Sequence, residues 1–469
     1  MSKTVFSGGR GRGAVGLSRA HAGRTGVALA ALAVVALCAA PAMAQDAGRM
    51  DQVARASVAT GEFSGSVLVA RDGEVLLDQG YGFANREWSI PNDGDTVFRL
   101  GSVTKQFTAV AIMILKERGL VDLDAPVKTW LPDAPAAWDG VTVSHLLSHT
   151  SGVPNFTDFD DYAASRTQPA TVDSLIARFR DHPLDFQPGE KWNYSNSGYV
   201  LLTAIIEKVS GRPYADFVEE TLFQPLGMAD TGYDSRTAVV PRRASGYVPT
   251  GGGGVAHADY LDMSIPQGAG GLYSTTHDLL KWEQGLFGGR LLQPQSLTLL
   301  TTPVRNDYAF GLGVAEAYGD KTISHSGGIE GFNTYMAYDP ARHMTVIVLG
   351  NLNGPAPTKI GADLLTLARG GTVTLQSERQ AVAVEAGSLM AYEGVYELSP
   401  TFLITASVLD GKLMVQATGQ DALELQAESA GTFFLREVDA QVVFTRDASG
   451  AVDGLVLHQG GRAAPARKR

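Results

Sequence analysis

A serine three residues ahead of a lysine, Ser102-Val103-Thr104-Lys105, occurs once in this chain and forms its one Ser-x-x-Lys pair. On the first turn of a helix that spacing puts both side chains on nearly the same face, roughly 4.5 Å apart along the axis. A serine hydroxyl is a poor nucleophile until a neighbouring base takes its proton, and a lysine amine within reach can be that base. The free N–H groups and positive dipole end of such a helix favour negative charge developing beside the serine. The same residue types also suit a plain serine cap followed by a solvated lysine. The pair gains chemical meaning only from its companions.

Two further stretches supply candidate companions. In Phe186-Gln187-Pro188-Gly189-Glu190-Lys191-Trp192-Asn193-Tyr194-Ser195-Asn196-Ser197, a turn leads into a polar helix entry, and Tyr194 is the one tyrosine among fifteen followed two residues later by asparagine. Ser195 and Asn196 are also good helix caps, so the residue types leave capping and chemistry both open. Thr322-Ile323-Ser324-His325-Ser326-Gly327-Gly328 approaches a polar His-Ser-Gly along an apolar strand, which suits a strand facing a cleft. His-x-Gly is unspecific alone, since His21-Ala22-Gly23 and His458-Gln459-Gly460 match it too. A third stretch, Ser144-His145-Leu146-Leu147-Ser148-His149-Thr150-Ser151-Gly152, reads as a short helix capped by Ser144 and closed by Gly152. His145 and His149 have the spacing of two metal ligands on one helix face, but the glutamate of a zinc-hydrolase helix and a third ligand are absent. The reading is histidines bonding backbone in a tight loop.

The elements that must position these residues follow from hydrophobic periodicity. A hairpin over 64–79 turns on Asp72-Gly73 and gives sheet-edge strands leading towards Ser102. A helix over 102–118 stops at Gly119, and a second spans 198–209 and ends at Gly211. A third, over 279–286, follows the capping entry at Thr275–Asp278. Two strands, 333–338 and 344–349, flank a turn at Asp339-Pro340. The glycine run 251–254 reads as a solvated tether. Beyond about residue 370, short β runs separated by Asp410-Gly411 and Ser449-Gly450 form a small antiparallel β domain.

A chain of 469 residues exceeds one ordinary core and calls for two or three domains. Residues 1–44 read as a signal peptide: five Lys or Arg, an apolar run over 27–40, then Ala42-Met43-Ala44 as the cleavage site. Export to the periplasm or exterior follows. The net charge of −11 becomes −16 once those five cations are removed, which disfavours nucleic acid as a partner. The single cysteine, Cys38, falls in that segment, so the remainder has no thiol chemistry and no cysteine metal site. No other stretch is apolar enough to span a bilayer. The domain reading is a signal peptide over 1–44, a hydrolase domain over 45–370, a linker over 371–390, a β domain over 391–462, and a disordered basic tail over 463–469.

Ser102-x-x-Lys105, Tyr194-x-Asn196 and His325-x-Gly327, in that order, resemble the serine β-lactamase and penicillin-binding superfamily. The likeness is to its class C branch, with DD-carboxypeptidases, D-aminopeptidases and related esterases, and it covers about Ser64 to Asn353. It is reinforced by Leu146–Gly152, Pro188-Gly189, Pro225-Leu226-Gly227-Met228 and Ala269-Gly270-Gly271-Leu272. The β domain resembles the lipocalin-like appendage of such hydrolases. The resemblance implies an α+β fold: an antiparallel sheet flanked by helices, a helical subdomain, and a cleft between them. It implies that Ser102 is acylated, with Lys105 or Tyr194 as base and Tyr194 passing the proton to the leaving group. Asn196 would orient the substrate amide and Lys105; His325, Ser326 and Gly327 would line the facing strand; the N–H groups of Ser102 and Gly328 would form an oxyanion hole. No metal or cofactor is implied. Many β-lactamases carry lysine where this chain has His325, so the expected substrates are amides or peptides with D-configured residues, with esters and β-lactams as alternatives. A penicillin-binding sensor without turnover is the alternative of another class. No Gly-x-Ser-x-Gly elbow is present, which argues against an α/β-hydrolase.

Overall fold

The computed structural model describes residues 47–250, 253–317, 320–436, 438–459 and 462–469. The signal-peptide reading of 1–44, with Cys38, and residues 251–252 of the glycine run lie outside them.

Six strands form the central sheet: β1 (Gly65–Arg71), β2 (Glu74–Tyr81), β3 (Gly313–Ala317), β4 (Asp320–Ile329), β5 (Phe332–Asp339) and β6 (Met344–Gly350). Their order is β3-β4-β5-β6-β1-β2, and every pairing is antiparallel. β1 is therefore interior, flanked by β6 and β2, and β2 is the one edge strand of the hairpin. The alternation of β1 explains this placement. Leu68 and Ala70 enter one apolar core, while Val67 and Val69 enter a second on the opposite face. The second core is completed by the helix over 47–59 and a helix over Ala356–Ala368.

The first core is built around helix α1 (Thr104–Glu117), in which every residue from Thr104 to Leu115 is buried. A helix buried on all sides belongs at the centre of a domain. Its polar members are satisfied: Gln106 Oε1 accepts from Trp282 Nε1 at 2.7 Å. The turn expected to open this helix is 3₁₀, spanning Gly101–Val103, so Ser102 sits one tight turn ahead of the α-helix proper. Helix α2 (Val143–Leu147) is capped by Thr142 in a reciprocal box with His145, not by Ser144, and it ends before His149. His145 and His149 therefore do not share a helix face. Helix α3 (Asn196–Ser210) closes at Gly211, as its sequence predicts, and α4 (Thr276–Phe287) is capped by Thr275.

The C-terminal strands close into an eight-stranded barrel: β7 (Gly394–Ser399), β8 (Phe402–Leu409), β9 (Lys412–Ala417), β10 (Leu423–Ser429), β11 (Thr432–Phe434), β12 (Ala440–Arg446), β13 (Val452–Gln459) and β14 (Arg462–Lys468). The basic tail expected to be disordered is β14. It pairs with β13 along its length and with β7 at Tyr396 and Glu397, and so seals the barrel. Closure removes both free edges, which is reason enough for a charged segment to be ordered. β10 was also not anticipated, because its apolar residues are only Leu423, Leu425 and Ala427, alternating with polar ones.

Candidate active site

Four of the expected site residues meet where the first turn of α1, the start of α3 and strand β4 converge. Lys105 Nζ lies 3.2 Å from Ser102 Oγ, 2.8 Å from Asn196 Oδ1 and 2.8 Å from the Ala269 carbonyl oxygen. The amine is fully buried and no carboxylate among the described residues pairs with it, so burial drives it well below the ordinary lysine value, towards the neutral form. A neutral amine has two hydrogens and one lone pair. Asn196 Oδ1 and the Ala269 carbonyl are both pure acceptors and take the hydrogens, which leaves the lone pair for the Ser102 hydroxyl. The Lys105 nitrogen also stands 4.7 Å above the Tyr194 ring and 5.3 Å above that of Tyr199, faces that favour a cation once a proton arrives.

Asn196 cannot turn over without loss. Its Nδ2 donates to Thr157 Oγ1 at 3.2 Å and its backbone N–H to Asn155 Oδ1 at 3.0 Å, which fixes Oδ1 on Lys105. Tyr194 is half-buried, and desolvation pushes its phenol up, partly offset by hydrogen bonding toward Ser102. Burial thus disfavours the charged form of both Lys105 and Tyr194.

Backbone approach sets the other wall. Gly101 has φ +54°, and a Cβ there would meet Gly328 N at 2.8 Å. A Cβ on Gly327 would meet the Leu100 carbonyl oxygen at 2.0 Å. Only glycines allow the turn carrying Ser102 and strand β4 to lie this close. Ser102 and Gly328 accordingly face one cleft of about 540 Å³, which Asn196, Thr157, Phe156, Arg166 and Glu330 also line. Arg166 is the one cation among its described lining residues, and it is paired with Glu330 and, at 2.8 Å, with Asp259.

The third sequence motif lies on strand β4. His325 is 8% exposed and does not line this cleft. Its ring centroid is 6.5 Å from that of Tyr194, its Nε2 is 2.9 Å from the Tyr308 hydroxyl, and its Nδ1 is 2.6 Å from the Ser326 carbonyl oxygen. Burial pushes it down to about 4. Ser326 and Gly327 border a neighbouring cavity, shared with Asn333 and with Val438, Asp439 and Gln459 of the barrel. His149, read from sequence as a loop histidine bonding backbone, does accept from the Ser195 N–H at 3.2 Å, and it also reaches Tyr308. Asn155, Thr157, Ala269 and Tyr308 were not legible as site residues; they converge only through the fold, from three separate segments. Among the described residues no group of three or more His, Asp or Glu is placed to hold a metal ion.

A six-stranded antiparallel sheet packed between helices, with a serine and a buried lysine on its central helix, defines the class. The chain belongs to the Beta-lactamase family, whose model matches residues 50–370; residues 378–467 match a domain of unknown function (DUF3471). It is 31% identical to Penicillin-binding protein 4* of Bacillus subtilis (strain 168) over 431 residues, covering 85% of this chain and 94% of the relative. It is 37% identical to Esterase EstB of Burkholderia gladioli over 239 residues, covering 48% of this chain and 60% of that one. The structure of D-amino acid amidase from Ochrobactrum anthropi SV3 superposes with a TM-score of 0.61 at 25% identity, covering 70% of this chain and 98% of the amidase.

Proposed function

We propose that this protein is an exported serine hydrolase that forms an acyl-enzyme at Ser102 and cleaves amide bonds of compounds carrying D-configured amino acids. The observation that carries the reading is the Lys105 amine, pushed by burial towards its neutral form, with two acceptors at 2.8 Å and Ser102 Oγ at 3.2 Å.

On this reading Ser102 Oγ adds to the substrate carbonyl carbon while its proton passes to Lys105 Nζ. The oxyanion forms against the N–H groups of Ser102 and Gly328. The new ammonium keeps its hydrogen bonds to Asn196 and Ala269 and lies over two aromatic rings, so the site that disfavoured charge at rest tolerates it in the intermediate. The C–N bond then breaks as Tyr194 delivers its phenol proton to the departing amine, and the Lys105 ammonium restores that proton. Water enters along the reverse path: it loses a proton to the same pair, adds to the acyl carbon, and Ser102 leaves protonated.

The cleft's charge favours an amide whose substrate bears an amine rather than a free carboxylate. Arg166 is already held by Glu330 and Asp259, and His325 is uncharged, so no described lining residue offers a free cation to a carboxylate. The likeness to the D-amino acid amidase agrees with this preference, and the likeness to an esterase makes short-chain esters the second substrate class in the same site. The deciding experiment is relative kcat/KM on a D-amino acid p-nitroanilide, its L-isomer, a p-nitrophenyl acetate and a penicillin, with Ser102→Ala as control. D-Amide preference supports the reading; full activity in Ser102→Ala ends it. Export rests on the 1–44 segment, and a secreted form beginning at Gln45 is the expected product.

A further inference from the structure

A continuous chain of hydrogen bonds runs from the segment holding Tyr194 to strand β4, and its ends are fixed by backbone groups that can play only one part. At one end the Ser195 N–H can only donate, so His149 Nδ1, 3.2 Å away, must be an acceptor. The hydrogen of a neutral His149 ring then lies on Nε2, which donates to the Tyr308 oxygen at 3.2 Å. At the other end the Ser326 carbonyl can only accept, so His325 Nδ1, 2.6 Å away, carries the hydrogen and Nε2 is bare. Tyr308 O–H fills that position, donating to His325 Nε2 at 2.9 Å. The two fixed ends allow one proton order, with both rings neutral and each in a single tautomer.

His149 also grips Tyr194 from three directions. Its carbonyl oxygen accepts from the Asn193 N–H at 3.0 Å, its ring accepts from the Ser195 N–H, and its ring centroid lies 4.2 Å from that of Tyr194. To do so it adopts φ +59°, a left-handed conformation that a non-glycine residue holds only when its surroundings impose it.

We propose that His149 and Tyr308 are positioning residues of the hydrolytic site. Together they clamp Tyr194 and tie it across the cleft to a His325 held in its uncharged Nδ1–H form. The inference rests on the acyl-enzyme reading above. Its consequence is that Lys105 alone takes up charge during acylation, because a proton on His149 would set Nδ1–H against the Ser195 N–H. A proton on His325 would leave Tyr308 without its acceptor. The titratable groups facing the two rings are Lys105 from α1, Tyr194 from the entry to α3, Tyr199 from α3 itself, and Tyr308 from the segment before β3. Among the described residues no carboxylate forms an ion pair with either ring.

The test compares wild type, Tyr308→Phe, His149→Ala and His149→Asn, using labelling of Ser102 by a fluorophosphonate and the pH profile of kcat/KM on the preferred p-nitrophenyl or p-nitroanilide substrate. Labelling of wild type that is lost in Ser102→Ala first establishes the underlying reading; its absence overturns that reading, not the clamp as such. Given that labelling, Tyr308→Phe should lower kcat about tenfold with KM little changed, while the acid limb, set by Lys105, stays in place. His149→Asn keeps an acceptor for Ser195 and tolerates the left-handed backbone, so it should recover about tenfold over His149→Ala. A folded Tyr308→Phe with unchanged kcat would overturn the proposal, as would His149→Ala and His149→Asn behaving alike.

Discussion

Lys105 Nζ stands 2.8 Å from Asn196 Oδ1, and that oxygen is held in place because the other end of the amide donates to Thr157. The relationship assigns the lysine's hydrogens: one to Asn196, one to the Ala269 carbonyl, and the lone pair to Ser102.

Replacing Lys105 should separate stability from activity. Lys105→Met should lower kcat/KM by about 10³-fold or more, and Lys105→Arg should not restore it, since a guanidinium stays protonated. Burial lowers the folded-state value of Lys105 below the unfolded one, so between the two the unfolded chain binds more protons and stability rises with pH. At neutral pH the buried amine therefore costs stability, and Lys105→Met should melt at a higher temperature than wild type. Thermal unfolding beside steady-state kinetics checks both.

The pH–rate profile should follow the same group. The neutral amine is the competent form, so kcat/KM should climb as pH rises through the depressed lysine value. His325, pushed down to about 4, should leave no titration step near neutrality. A step near the ordinary histidine value that persists in a Lys105 variant's residual activity would contradict this assignment.

Gly101→Ala tests the close approach. The added Cβ would meet Gly328 N at 2.8 Å on a backbone with φ +54°. Because the strain falls between the serine turn and β4, kcat should drop by about 10²-fold while the unfolding midpoint shifts modestly.

Glu283 on α4 is buried, its Oε2 has no hydrogen-bond partner among the described residues, and burial pushes it up to about 8. Here the folded state binds the extra proton, so stability falls as pH rises from the unfolded carboxyl range through about 8. Glu283→Gln should be more stable than wild type at about pH 9 by roughly 1–3 kcal/mol, and nearly equal at about pH 5, by urea denaturation.

Which features the sequence made legible follows from the range of the interactions that create them. Ser102, Lys105, Tyr194 and Asn196 could be singled out because their spacing is local and each opens a helix. The helices and sheet strands followed from periodicity of the same short range. The Thr142 cap was missed because Ser144, two residues on, is an equally good capping type, and only the backbone angle at Thr142 decides between them. β14 was missed because its charge pattern resembles a solvated tail; pairing with β7 and β13 is a long-range gain invisible in the segment itself. The partner of His325 was not legible for the same reason. Tyr308 precedes His325 by seventeen residues, and only the return of β3 alongside β4 brings the two hydroxyl-to-ring atoms to 2.9 Å.

The most direct measurement of the central claim is intact-mass spectrometry of residues 45–469 after reaction with a fluorophosphonate, followed by peptide mapping. The account predicts one adduct, on Ser102, that disappears in Ser102→Ala and forms far more slowly in Lys105→Met. An adduct on another residue, or none on a folded protein that still hydrolyses its substrates, would contradict it.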